Sequence, residues 1–158
     1  MVENWHIPTR TELSRIVAMM DDPAFYDQIS RVPDADLQRA LAGDDDIALW
    51  VYRVDGCAVA YAFMTDMATT LPKLDEFAVF ERGRGFGKAA LAALARKCAQ
   101  TPSYEKLWLY VVDGNEAPLG LYRSLGFGDE EFMPKRWKTR SGKVVDQFRM
   151  WFDLDRLR

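Results

Sequence analysis

The chain has 158 residues, 49% hydrophobic and 28% charged, which is enough to bury a proper core and is unlike a disordered segment. No apolar run approaches the roughly 18 residues of a membrane span, no basic stretch followed by an apolar one opens the chain, and a pI near 5.2 argues against general nucleic-acid affinity. These features predict one domain over residues 1–158, cytoplasmic, with no membrane and no nucleic-acid partner.

In chain order, Thr9 and Glu12 form a capping box ahead of Leu13, Ile16, Val17 and Met20 at helical spacing, predicting a helix that runs to about Met20. Asp21-Asp22-Pro23 interrupts it, a short turn follows around Phe25 to Ile29, and a second helix is expected over Asp34 to Ala42 with Gly43 as its stop. Ile47 to Val54 and Cys57 to Met64 flank Asp55-Gly56, a strong hairpin signal, and should be antiparallel strands. A strand at Leu74 to Phe80 leads into a glycine-rich loop, a helix from Gly87 to about Gln100 and a strand at Lys106 to Val112, forming a crossover. A helix over Asn115 to Leu125 and a closing hairpin of Phe127 to Phe132 with Val144 to Leu154 complete the chain. The basic stretch Lys135 to Lys143 around Trp137 reads as the hairpin's solvated loop, or as a border of an acceptor site with Trp137 as a wall.

Cys57 and Cys98 have no Cys or His at ligand spacing and are expected to be buried small hydrophobes. His6 is the sole histidine, so neither a metal site nor a Cys-His nucleophile pair is expected.

The loop Arg82-Gly83-Arg84-Gly85-Phe86-Gly87-Lys88 reads as an anion cradle, because glycines permit positive φ and the following helix presents its positive dipole end. Only three residues separate Gly83 from Gly87 and Ala89 follows Lys88, which excludes a Walker loop and its magnesium ligand. Lys88 stands where a dinucleotide fingerprint requires glycine. Charge agrees with an anion site here: residues 81–158 carry 15 basic and 10 acidic side chains, whereas residues 1–80 carry 6 and 14. The acidic half would attract a cationic amine, unless its charges are simply solvated surface.

Arg82-x-x-Gly85-x-Gly87 at a helix start, followed by Asn115, a seven-residue step to Tyr122 and then Gly126-Phe127, resembles the Gcn5-related N-acetyltransferases (GNAT) from about Ile47 onward. The resemblance implies a GNAT-like α/β fold of α+β type, with a mixed, mostly antiparallel sheet of six to seven strands and helices on both faces. It implies acetyl-CoA as cosubstrate and no metal. Phe77, Ala78 and Val79 match the strand that pairs with the pantetheine arm, and the backbone of Arg82, Gly83, Arg84, Gly85, Phe86, Gly87 and Lys88 matches the pyrophosphate loop. Asn115 is both a helix cap and a cofactor contact under this resemblance.

Tyr122 matches the general acid, since a neutral tyrosine has a proton for a departing thiolate, although its reference pKa near 10 lies above a thiol's value of about 8.5. Glu76 is the candidate base, with Asp75 as alternate, and strand alternation directs only one of the two toward the acetyl group. Leu107 to Asn115 also resembles bacterial enzymes that acetylate the N-terminal alanine of a ribosomal protein, but Tyr110 occupies the place of their base glutamate. Val79 to Arg82 is a step of three, shorter than is usual in the family, and Pro118 and Gly120 fall within the helix after Asn115.

The expected activity is direct transfer of an acetyl group from acetyl-CoA to a primary amine. The acceptor would be a small amine or aminoglycoside, or a protein N-terminus or lysine. A noncatalytic acyl-CoA-binding or sensing module is the alternative. The sequence leaves the acceptor and the oligomeric state open, a homodimer included.

Overall fold

A computed structural model describes residues 4–158. Seven strands form one sheet in the order β1-β2-β3-β4-β5-β7-β6, antiparallel throughout except for β4 beside β5. The strands are β1 (Trp5–His6), β2 (Ala48–Val54), β3 (Cys57–Thr65), β4 (Lys73–Val79), β5 (Lys106–Val112), β6 (Gly128–Lys138) and β7 (Val144–Asp153). Helices α1 (Arg10–Met20) and α2 (Asp34–Leu41) precede β2, α3 (Phe86–Ala99) joins β4 to β5, and α4 (Glu116–Leu125) joins β5 to β6. No helix among the described residues is long and apolar enough to cross a membrane.

The sheet is buried on both faces, so two cores form. Ile16 and Met20 of α1 and Leu37 of α2 cover Leu49, Val51, Tyr61 and Phe63 on one side. Leu91 and Leu94 of α3, with Leu119 of α4, cover Ala60, Ala62, Leu107, Leu109 and Met150 on the other.

The expected capping box starts α1: Glu12 N–H donates to Thr9 Oγ1 at 3.2 Å and Thr9 N–H donates to Glu12 Oε1 at 2.9 Å. Asp55 and Gly56 make the β2–β3 turn with φ of 51° and 78°. Both positive angles suit the turn geometry that matches strand twist.

Three details depart from the sequence expectations. Strand β1 was not anticipated; it holds only two residues, and its Trp5 is buried with Nε1 donating to Ala90 O at 2.9 Å. Strand β6 continues through Lys138 rather than ending at Phe132, so half of the expected basic loop is strand. Cys98 is buried as expected, but Cys57 is exposed because it directly follows the β2–β3 turn.

Two irregularities position the site. Pairing between β3 and β4 steps from Phe63–Glu76 to Met64–Leu74, leaving Asp75 as the extra residue of a bulge. Leu74 and Phe77 therefore meet the same core although three positions apart, while Ala78 joins the opposite core. Strand β4 then pairs with β5 only at Lys73–Trp108, and beyond that bridge the two strands part.

Candidate active site

A cavity of about 480 Å³ occupies the gap between the parted strands. Leu74 to Val79 form one wall and Leu109 to Val112 the other, with Asn115 and Tyr122 of α4 also lining it. Parallel strands that stop pairing leave backbone N–H and C=O groups without sheet partners along both walls. Phe77, Ala78 and Val79 lie on this edge.

The glycine loop closes one end through Arg82, Gly83 and Gly87. Gly83 has φ 78°, and Gly85, with φ 74°, is the residue that caps α3. Both angles are left-handed, where a side chain would be strained. Gly87 differs from the sequence expectation, because it does not adopt positive φ and an added Cβ would lie 3.4 Å from Leu121 Cδ2 and 3.6 Å from Val79 Cγ1. The protein itself leaves room for a small side chain there. Arg84 pairs with Glu81 at 3.5 Å and lies over the Phe86 ring; Arg84, Gly85, Phe86 and Lys88 belong to the loop but not to the cavity wall.

Asn115 occupies the cap position of α4 without making a side-chain cap bond. Its carboxamide is thus not engaged by its own helix, although the sequence pointed to a cap. Tyr122 is buried, its ring edge meets Phe127 at 5.6 Å, and its hydroxyl has no hydrogen-bond partner among the described residues. Burial, followed by the charge of Glu76, raises its pKa above the ordinary tyrosine value.

Glu76 is buried on β4. Ser30 donates to its Oε1 twice, from the backbone N–H at 3.0 Å and from the hydroxyl. Removal from water is the main influence on Glu76 and pushes its pKa up to about 8; the Ser30 bonds and Arg140 oppose that shift, and Asp75 adds to it. Asp75 itself bridges to Lys73 Nζ at 2.8 Å. The two neighbouring carboxyls consequently have different environments, and only Glu76 is withdrawn from solvent.

At the end away from the glycine loop, Gln28, Ile29 and Ser30 from the α1–α2 connection face Arg136 and Trp137 from β6 across the cavity. Trp137 does stand at the cavity wall. Among the described residues, no group of three or more His, Cys, Asp or Glu side chains is placed to hold a metal ion.

Residues 16–127 match the model of the Acetyltransferase (GNAT) family. The chain belongs to the GNAT family. The match begins well before Ile47, where the motif resemblance starts, and ends at Phe127. No curated protein sequence matches the chain.

Solved GNAT-like structures share the fold across nearly the whole chain. Arabidopsis thaliana NAA60 in complex with acetyl-CoA is similar with a TM-score of 0.78 and 17% identity, covering 96% of this chain and 98% of that one. Spermidine N-acetyltransferase from Vibrio cholerae in complex with CoA and spermine gives 0.80 and 15%, covering 96% and 95%. The ribosomal-protein-S18-alanine N-acetyltransferase from Escherichia coli gives 0.69 and 20%, covering 95% and 92%. At such identities the likeness is one of fold.

In this GNAT chain several cavity residues carried no sequence signal. Ser30 lies in an irregular segment with no periodicity, and its pairing with Glu76 spans 46 positions. Gln147 is only 9% exposed and lines the cavity from β7, yet a lone glutamine in an alternating strand looks like any outward polar residue. Tyr61, which does not line the cavity, is fully buried with an unpartnered hydroxyl.

Proposed function

We propose that the protein is an acetyl-CoA-dependent N-acetyltransferase that transfers the acetyl group directly to a primary amine. The observation that carries this reading is the gap between β4 and β5, into which a buried carboxyl, Glu76, and a buried phenol, Tyr122, both open. The residues fit the cosubstrate: the backbone of Phe77, Ala78 and Val79 would pair with the amide-bearing arm, the N–H groups of Arg82 to Lys88 would hold the pyrophosphate, and the Asn115 carboxamide would contact the arm. Acetyl-CoA supplies an acetyl group activated as a thioester.

The chain's own side chains manage the protons. An acceptor amine is mainly ammonium at neutral pH and must lose a proton before it can attack. Glu76, with a pKa near 8, is a stronger base than an ordinary carboxylate and takes that proton once ionised. Tyr122 holds a proton at its hydroxyl throughout the neutral range and gives it to the departing sulfur. Its raised pKa makes that transfer more uphill than the reference values suggest, so proximity within the cleft has to compensate.

Thermal shift with acetyl-CoA, followed by incubation with acetyl-CoA and a panel of amines, tests the reading. A stabilising shift together with acetylated product is expected. Binding without transfer to any amine would favour a noncatalytic sensing module, and no shift at saturating acetyl-CoA would remove the cosubstrate altogether.

A further inference from the structure

We propose that the acceptor is a small amino acid, held by its carboxylate on Arg136 while its amine faces Glu76. This rests on the acetyltransferase reading above and specifies its acceptor class.

The argument begins with which charges at the cavity are already neutralised. Its charged lining residues are Lys73, Asp75, Glu76, Arg82 and Arg136. Lys73 and Asp75 satisfy each other at 2.8 Å, and Arg82 belongs to the phosphate loop. Glu76 is buried, with Ser30 bonded to it and no ion-pair partner among the described residues. Of the cations that line the cavity outside the glycine loop, Arg136, itself exposed, is the one without an ion-pair partner among the described residues. It makes no ion pair or hydrogen bond among the described residues, and its guanidinium sits 4.3 Å from the centre of the Tyr110 ring.

The backbone is bent to place it there. Pairing between β6 and β7 jumps from Met133–Gln147 to Trp137–Val145, so that Pro134, Lys135 and Arg136 stand opposite Asp146 alone. Lys135 has φ 49°, an uncommon angle for a residue with a side chain, and its N–H donates to Asp146 Oδ1 at 2.7 Å. Bulges of this kind beside a cleft re-aim side chains. Gln147 adds an independent observation: the residue is only 9% exposed and lines the cavity from β7. A carboxylate would accept from both Arg136 and the Gln147 amide.

Charge also weighs against a polycation. The acidic half of the sequence suggested a cationic acceptor, but its acidic side chains at the cavity are one bridged aspartate and one buried glutamate. Several ammonium groups would meet Arg136 with little to balance them. A zwitterion instead matches the order of groups, with its ammonium toward Glu76 and its carboxylate toward Arg136.

Size is set by a clasp between the loops flanking this end. Arg140 donates to Ile29 O at 2.8 Å and stacks on Tyr26, Lys143 Nζ lies 3.1 Å from Asp27, and Ser141 donates to Asp27. An amino acid fits beneath such a clasp, whereas an extended peptide has to open it. In the transfer, the ammonium loses one proton to Glu76, which passes it to solvent, and the freed amine attacks the thioester; as the N–C bond forms and the C–S bond breaks, the nitrogen's second proton goes to solvent. The sulfur takes a proton from Tyr122, which solvent restores, and the product is an N-acetylamino acid with free CoA.

The test uses the intact protein with acetyl-CoA and matched acceptors: α-amino acids and β-alanine, each beside its carboxamide, with spermidine and free-amine dipeptides. Acetylation and calorimetric binding to the CoA-loaded protein are both read. The proposal expects each accepted acid to exceed its carboxamide by about tenfold or more in kcat/KM, with that ratio collapsing in Arg136→Ala through KM. Arg136→Lys should restore only part of it, since an ammonium cannot reproduce the planar fork. Acetyl-CoA must still stabilise both variants, which checks folding. Equal use of acid and carboxamide, preference for spermidine, turnover of dipeptides alone, or no acid binding or turnover while acetyl-CoA binds would each overturn the amino-acid proposal and leave the cosubstrate reading standing. Absence of any acetyl-CoA shift in the wild type would overturn both.

Discussion

Glu76 and Tyr122 face one cleft, yet burial acts on them with opposite catalytic consequences. It brings the carboxyl toward neutral pH as a base and moves the phenol further from ionising. kcat/KM should therefore rise with pH through a limb near 8, with no descending limb from Tyr122 at moderately alkaline pH; a pH–rate profile checks both parts. Glu76→Gln should erase the ascending limb. Its stability effect has a definite sign: the folded-state pKa exceeds the unfolded value, so folding takes up a proton between about 4.5 and 8 and wild-type stability falls as pH rises through that window. Denaturant melts across that range should show a flatter dependence for Glu76→Gln. Tyr122→Phe should lower kcat by about a hundredfold or more while preserving the acetyl-CoA thermal shift, because only the hydroxyl is lost. A kcat unchanged by that substitution would exclude Tyr122 as the acid.

At the scale of elements, the entry to α1 shows how local chemistry becomes tertiary. Glu12 completes the capping box and also receives Arg53 of β2 in a two-point contact, at 2.8 Å from Nε and 2.6 Å from Nη2. The Arg53 hydrogen bond is the leading cause that holds its pKa down to about 2. Its contribution is therefore full above about 4.5 and disappears as pH falls toward 2. Glu12→Gln should lose stability at pH 6 and show a weaker acid dependence in thermal melts, while Thr9→Ala should cost about 1 kcal/mol at either pH. The capping box, the Asp55-Gly56 turn and the glycine loop were all legible because each is a short pattern whose geometry its own residues impose. Strand β1 was not, since two residues become a strand only through pairing with β2. The same limit hid the bulges at Asp75 and at Pro134 to Arg136: register is a property of two strands, and one strand's letters do not specify it. Tyr122, Asn115 and Glu76 could be located from motif spacing, whereas Ser30 and Gln147 meet the cavity only through long-range folding.

For the molecule as a whole, the sheet consists of two leaves. Strands β1 to β4 pair continuously, as do β5, β7 and β6, but a single residue pair joins β4 to β5. What unites the leaves is the core beneath α3 and α4, to which Ala60, Ala62 and Leu74 contribute from one leaf and Leu107, Leu109 and Met150 from the other. A ligand that pairs with both exposed edges would restore the missing stretch of sheet. It would act where backbone hydrogen bonds are fewest and local opening is easiest. Hydrogen exchange with and without saturating acetyl-CoA should therefore show new protection in residues 77–79 and 109–112 and in the loop amides 82–88. Amides inside the β2–β3 and β5–β7 pairings should change only through the global gain in stability. Protection spread evenly over the sheet, or confined to the acceptor end near Trp137, would mean that the cosubstrate does not lie along the gap between β4 and β5.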